Sequence, residues 1–257
     1  MSSVEAIFQY GVFLRPRPAG FSLAIFTPNA ASRATEREFE LKIAIFGGTG
    51  DLGRGLAVNF AAAGHEIIVG SRSQERADQA ADTLRADLPQ GNFVPMENVA
   101  AAEASEIAIV SIPWEGVEAT IPPMAGALAG KVVISVINAL EFGKNGATAL
   151  TNLPGGSMAE RIQELAPQAK VAMAFNNLPA GRLQKRETID ADVLVCGRGK
   201  DTRETVMALA EALPGVRALD AGILANALII EGSTAIIINL NRRYGGEASI
   251  KIEGLHE

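Results

Sequence analysis

The chain has 257 residues, 48% of them hydrophobic and 20% charged, with a formal net charge of −6. That balance fits a soluble globular body able to bury a sizeable core, and excludes a disordered or fibrous chain. The negative charge and the scatter of the basic residues also argue against nucleic acid as a partner, since phosphate backbones are met by concentrated Lys and Arg.

Residues 1–40 differ in pattern from the rest of the chain. Phe8, Tyr10, Phe13, Phe21 and Phe26 are mixed with Pro16, Pro18 and Pro28 without a sustained period, so this segment reads as a poorly ordered extension. It lacks the layout of a secretory signal, while Arg15, Arg17 and Arg33 in an acid-poor stretch leave a transit peptide open. From Lys42 the pattern becomes regular. Lys42 to Phe46 is an apolar strand that stops at a glycine cluster, and Leu52 to Ala63 reads as a helix closed by Gly64. Gly48, Gly50 and Gly53 stand at G-x-G-x-x-G spacing, which suits a tight turn, a close backbone approach to a ligand and close helix packing. The helix N-terminus behind them offers unpaired N–H groups and partial positive charge to a diphosphate. Strand, glycine turn and helix, with a second strand some twenty residues on, together predict a dinucleotide site.

That second strand is Glu66 to Gly70. Gln74 to Leu88 comes next as an exposed helix ended by Pro89, then a short strand near Asn92 to Pro95 and a brief helix around Val99 to Ala104. Strands are predicted at Ile107 to Ile112 and at Lys131 to Val136. After Asn138 the regularity lapses into a glycine-bearing loop from Glu141 to Gly156. Ser157 with Glu160 three residues later is a capping box that opens a helix through Leu165. Lys170 to Phe175, Asp192 to Cys196 and Val216 to Asp220 read as strands, Thr202 to Leu213 as a helix, and Ala225 to Arg242 as a long apolar helix. The alternation predicts a Rossmann-type α/β fold: a doubly wound, mostly parallel sheet, with a smaller C-terminal α/β part ending in the apolar helix. The expected boundaries are 1–40, a dinucleotide-binding domain over 41–168, and a smaller domain over 169–257. No membrane span is expected, because Ala225 to Leu240 carries Glu231 in its middle and falls short of roughly 20 clean apolar residues. That stretch is expected to be a buried helix or a subunit interface.

The second strand ends in Gly70-Ser71-Arg72, where the adenosine ribose of a dinucleotide should lie. A carboxylate there would hold a free 2′-hydroxyl. Instead Ser71 can donate a hydroxyl hydrogen bond, and Arg72 and Arg76 can meet a 2′-phosphate with planar guanidinium groups, so the expected cofactor is NADP(H). Ile112-Pro113-Trp114-Glu115 ends another strand at the rim where the nicotinamide should sit; Trp114 reads equally as a core residue. Asn138 and the run Asn176-Asn177-Leu178-Pro179-Ala180 share that rim. The single cysteine, Cys196, excludes an internal disulfide and a thiolate metal cluster, and fits a reducing cytoplasm. His65 and His256 read as surface residues, so no metal site is expected. Missing too are a Ser-His-Asp set and a Tyr-x-x-x-Lys. Carbonyl reduction normally needs a placed proton donor, whereas hydride transfer between two stacked rings needs mainly alignment and dryness. The residues fit the second kind, with no catalytic side chain.

Several of these stretches, in order, resemble the NADPH:coenzyme F420 oxidoreductase family. They are Gly47-Gly48-Thr49-Gly50-Asp51-Leu52-Gly53 with Gly55-Leu56-Ala57, then Val69-Gly70-Ser71-Arg72, Ile112-Pro113-Trp114-Glu115, Leu178-Pro179-Ala180, Val195-Cys196-Gly197, Leu219-Asp220-Ala221-Gly222 and Asn239-Leu240-Asn241-Arg242-Arg243-Tyr244. The resemblance implies a homodimeric oxidoreductase that moves a hydride reversibly between NADP(H) and the deazaflavin coenzyme F420. By motif, it implies that Gly48, Thr49, Gly50, Asp51, Leu52 and Gly53 form the diphosphate turn, and that Ser71, Arg72 and Arg76 surround the 2′-phosphate. Ile112, Pro113, Asn138 and Ala180 would border the nicotinamide; Asn176, Leu178 and Thr234 would lie on the deazaflavin side, in the C-terminal domain that also makes the dimer contacts. Some family members carry a histidine, an arginine and a serine where this chain has Asn176, Leu228 and Gly232. Two other readings stay open: NADPH-dependent reduction of a flavin, ferric chelate or small imine, and a non-catalytic NADP(H)-binding sensor.

Overall fold

The computed structural model describes residues 41–255; the expectations for 1–40 and for His256 fall outside the described residues. Each short apolar run becomes a strand and each amphipathic run a helix. β1 (Lys42–Phe46) passes through the glycine turn into α1 (Asp51–Ala62), and β2 (Glu66–Ser71) leads to α2 (Gln74–Asp87). β3 (Phe93–Glu97), α3 (Asn98–Ala104), β4 (Ile107–Val110), α4 (Val117–Thr120) and β5 (Val132–Ser135) continue the alternation. β6 (Leu140–Gly143), β7 (Gly146–Ala149) and α5 (Met158–Leu165) precede β8 (Lys170–Met173) and α6 (Ala180–Gln184). β9 (Ala191–Gly197), α7 (Lys200–Ala210), β10 (Val216–Gly222) and α8 (Ala227–Tyr244) complete the order.

The main sheet has eight strands in the order β10-β9-β8-β5-β4-β1-β2-β3. All pairs are parallel except β8 with β9. Alternate side chains of a strand serve opposite faces, and β1 shows this directly. Ile43 and Ile45 join a core with Leu56 and Phe60 of α1, Leu84 of α2 and Val206 of α7. Ala44 and Phe46 join the other core with Ala102 of α3, Ile162 of α5 and Ile230 of α8. Phe46 and Phe60 are wholly buried, each contributing roughly 1.5–3 kcal/mol by area. The doubly wound expectation therefore describes the chain, and β1 sits at the point where the strand order reverses, between β2 and β4.

Three local expectations differ. The predicted boundary at 168/169 falls inside one continuous sheet: β8 pairs with β5, and both cores draw residues from either side of it. The loop expected from Glu141 to Gly156 contains a hairpin, with Leu140 opposite Ala149. Its exposed residues carry little apolar alternation; what fixes it is distant, since Asn239 of α8 accepts from Ala147 N and donates to Ala147 O, both at 2.8 Å. Lastly, Leu224–Tyr244 meets the length and composition of a membrane span, beyond what the shorter stretch suggested. Even so, Glu231, Ser233, Thr234 and Asn239 along it are engaged within the fold.

Glu231 is the clearest of these. It is 3% exposed, and its two carboxylate oxygens accept from Met158 N and Ala159 N, each at 3.0 Å, at the start of α5. Ser157 caps the same helix as expected: its hydroxyl accepts from Glu160 N at 3.1 Å and lies 3.0 Å from the Glu160 carboxylate. Burial pushes the Glu231 carboxyl up from 4.5 to about 7, against the two amides, which favour the ionised form. The folded chain thus holds a proton that the unfolded chain releases, and the stability from it is lost as pH rises from about 4.5 to 7. Glu231→Gln removes that titration. Over this window the parent protein is expected to lose up to about 3 kcal/mol relative to the variant, measured by urea unfolding; parallel stability curves would contradict this origin.

Candidate functional site

The site begins where β1 ends. Gly47 has φ +90°, and a side chain there would run into the carbonyl oxygen of Ser111, just past β4. A Cβ on Gly53 would stand 2.6 Å from Gly47 O, so the absence of side chains at both positions lets α1 close onto the turn. Gly50 N donates to Gly47 O at 3.0 Å, and Gly50 caps α1 with no side-chain hydrogen bond. The helix N-terminus, with exposed Thr49 and Gly50, is therefore left open for an external acceptor. Of the expected glycine triplet, Gly53 packs the helix. The left-handed turn falls to Gly47, one residue ahead of Gly48, because the need for it comes from Ser111 rather than from local spacing.

Beside this turn is a cleft of about 1080 Å³ at the C-terminal ends of β1, β2 and β4. It is lined by Gly48 and Thr49, by Ser71, Arg72 and Arg76, and by Ile112 and Pro113, bringing together three groups of residues that the sequence singles out. Both arginines are exposed and have no ion pair or hydrogen bond among the described residues. Elsewhere Arg54, Arg161 and Arg203 are each matched to a carboxylate within 2.7 Å. Two unmatched guanidinium groups in an acidic protein fit a doubly charged phosphate. Glu97, beside Ser71 in register on β3, is a lining carboxylate outside the predicted set. Asn98 also lines the cleft, and its Oδ1 is the one fully enclosed side-chain N or O atom without a partner among the described residues. The cradle at Gly47 and Gly53, the open helix end and the two arginines fit a dinucleotide with a 2′-phosphate. No signal in the sequence distinguishes Asn98, because its lack of a partner arises only when β3 and β2 come together.

The remaining expected residues lie outside the cleft lining. Gly50, Asp51 and Leu52 form the turn and the first turn of α1, where the Asp51 carbonyl accepts from Gln184 Nε2 at 3.0 Å. Trp114 packs partly against the core of the α5 and α8 face, which favours its structural reading. Leu178 is buried at 7% exposure, and Ala180 begins α6. Asn138, Asn176 and Thr234, from three separate segments, are brought together. Asn176 Nδ2 lies within reach of Asn138 Oδ1 at 2.9 Å, Thr234 Oγ1 at 3.1 Å and Ile230 O at 3.1 Å. Thr234 Oγ1 donates to Asn138 Oδ1 at 2.9 Å, and Asn138 Nδ2 to Asn176 O at 3.1 Å. Phe175, just before Asn176, adopts φ +64°, a left-handed conformation uncommon for a bulky residue that turns the chain into this cluster.

The site holds little acid–base chemistry. The described residues include no group of three or more potential metal ligands. Cys196 is buried, and burial pushes its thiol up to about 12, far from a reactive thiolate. What the arrangement can do is bind an anionic dinucleotide at a switch point and hold planar groups at a rim.

Fold and cleft together define a dinucleotide-binding protein of the doubly wound class. Residues 42–139 match the family profile described as NADP oxidoreductase, coenzyme F420-dependent. The chain is 38% identical over 223 residues to an F420-dependent NADP reductase of Methanocaldococcus jannaschii, covering 84% of this chain and 99% of that protein. It is also 38% identical over 224 residues to the enzyme of that name from Methanothermobacter marburgensis, covering 84% of this chain and 100% of the other. A crystal structure from Arthrobacter sp. FB24, provisionally described as an F420-dependent NADP-reductase, superposes with a TM-score of 0.72 at 25% identity, covering 83% of this chain and 100% of that one. The chain belongs to the F420-dependent NADP reductase family.

Arg72→Glu replaces a charge-assisted contact with repulsion, so KM for NADPH is expected to rise at least about tenfold while that for NADH changes little. Equal weakening of both cofactors in steady-state kinetics would remove Arg72 from the 2′-phosphate subsite.

Proposed function

We propose that this enzyme transfers a hydride directly and reversibly between NADP(H) and the deazaflavin coenzyme F420. The observation that carries the reading is 38% identity along 99% of a reductase of that name, joined to a cleft that sets Arg72 and Arg76 beside an open helix N-terminus. The bound pair supplies the chemistry, a hydride moving between the nicotinamide C4 and the deazaflavin C5.

The chain's own residues bind and orient. The turn from Gly48 to Gly53 holds the diphosphate through backbone amides at the start of α1. Ser71, Arg72 and Arg76 take the 2′-phosphate, while Ile112, Pro113, Asn138 and Ala180 border the nicotinamide. Asn176, Leu178 and Thr234 form the deazaflavin side. The hydrogen-bonded trio of Asn138, Asn176 and Thr234 supports this division, since it ties the segment after β5 and the segment after β8 to α8. No side chain gives or takes a proton in the transfer; positioning and exclusion of water supply the rate.

The working form is a cytoplasmic homodimer joined through α8. Ile229 is 74% exposed, Ile236 63% and Tyr244 77%, and Phe142 of the hairpin is 71% exposed. An apolar stripe of this extent on one helix suits a second copy of the chain.

Mixing purified protein with NADPH and oxidised F420 should bleach the deazaflavin absorbance with matching loss of NADPH. An absence of turnover across a broad pH range would refute the assignment. Ile236→Asp is expected to lower the mass seen by light scattering from two chains to one; an unchanged mass would remove this face from the interface.

A further inference from the structure

At the opposite end of the sheet is a second strand, glycine turn and helix unit. β9 runs antiparallel to β8, so its C-terminal end and the start of α7 lie near the N-terminal end of β8, away from the dinucleotide cleft. There Arg198-Gly199-Lys200-Asp201-Thr202 and the stretch from Pro167 to Lys170 enclose a hollow of about 610 Å³. We propose that this hollow is a binding site for a phosphate-class dianion, either inorganic phosphate or a phosphate monoester.

The helix end is bare. α7 has 11 residues, its N-cap is Gly199 at φ +87°, and no side chain caps it. The amides of Lys200, Asp201 and Thr202 have no acceptor among the described residues. At α5, by contrast, Ser157 and Glu231 satisfy the corresponding amides. Unpaired N–H groups and the positive end of the helix dipole favour an anion.

An independent observation concerns Thr202. It is 3% exposed and lines the hollow, yet its hydroxyl has no hydrogen-bond partner among the described residues. An almost wholly buried residue whose unpartnered hydroxyl opens on the hollow leaves a donor for an acceptor placed there. The surrounding charge agrees in sign. Lys170 and Arg198 are lining cations, with one Arg198 nitrogen fixed on Pro167 O at 3.1 Å. Lys200 is partly committed to Glu204 at 3.1 Å, and Asp201 opposes on the same turn. Amides, a hydroxyl and a guanidinium converging on one hollow suit a compact oxyanion better than a carboxylate, which presents fewer acceptor oxygens.

The test is calorimetric titration of NADP⁺-saturated protein with inorganic phosphate and, separately, with glycerol phosphate, at constant ionic strength held by chloride. Repeating it in the Arg72→Glu background keeps phosphate bound in the large cleft from being counted. One saturable site per chain is expected, weakened about tenfold by Thr202→Val or Arg198→Ala and retained in Thr202→Ser. Tighter binding of glycerol phosphate identifies a phosphorylated metabolite as the ligand class, and tighter binding of inorganic phosphate identifies the free ion. No saturable binding, or binding indifferent to both Thr202→Val and Arg198→Ala, overturns the proposal.

Discussion

The close approach of Gly47 to the Ser111 carbonyl governs the rest of the structure. It brings the end of β1 against the segment following β4, where no side chain could fit, and so turns the chain into α1 immediately after the strand. Had that turn been wider, the α1 N-terminus would point away from the cleft and its amides would be lost to a ligand. The same contact sets Ile112 and Pro113, which come directly after Ser111, across from the turn. One steric fact therefore fixes both the open end of α1 and part of the far wall of the cleft.

Around this point the molecule is tied by α8. Its Glu231 caps α5, its Thr234 joins Asn138 and Asn176, and its Asn239 clamps the hairpin of β6 and β7. Each of these polar groups on an apolar helix is committed to a different segment, so the helix cannot rotate or slide without breaking several hydrogen bonds at once. Its buried face belongs to the core, and its outward face leaves Ile229 and Ile236 exposed. This arrangement accounts for a helix that has the composition of a membrane span and the hydrogen bonding of a structural strut.

Where the physics is local, the sequence was sufficient. The apolar runs of β1, β2, β4 and β5 and the Ser157 and Glu160 cap all depend on neighbours within a few residues. What escaped depends on distant partners. The role of Gly47 comes from Ser111, the hairpin is held by Asn239 some ninety residues later, and Asn98 becomes an orphan acceptor only in the folded sheet. The lapse of periodicity after Asn138 does not end the sheet, and neither does the expected boundary at 168/169: β8 returns to β5 after the whole hairpin and α5.

The proposed rim accounts for how this redox enzyme can align two cofactors with few ionisable groups. Asn138, Asn176 and Thr234 spend their hydrogen bonds mainly on one another and on the backbone. A cluster of this kind holds no acid or base, but it fixes the relative positions of three segments. Direct hydride transfer depends on the distance and alignment of two carbons, and a loose rim would sample unproductive separations. The strained backbone at Phe175 serves the same end: a bulky residue held left-handed, almost wholly buried against Phe60, sets the direction from which Asn176 enters the cluster. In the proposed reading, a rim held by hydrogen bonds does for alignment what placed acid–base side chains do for carbonyl reduction.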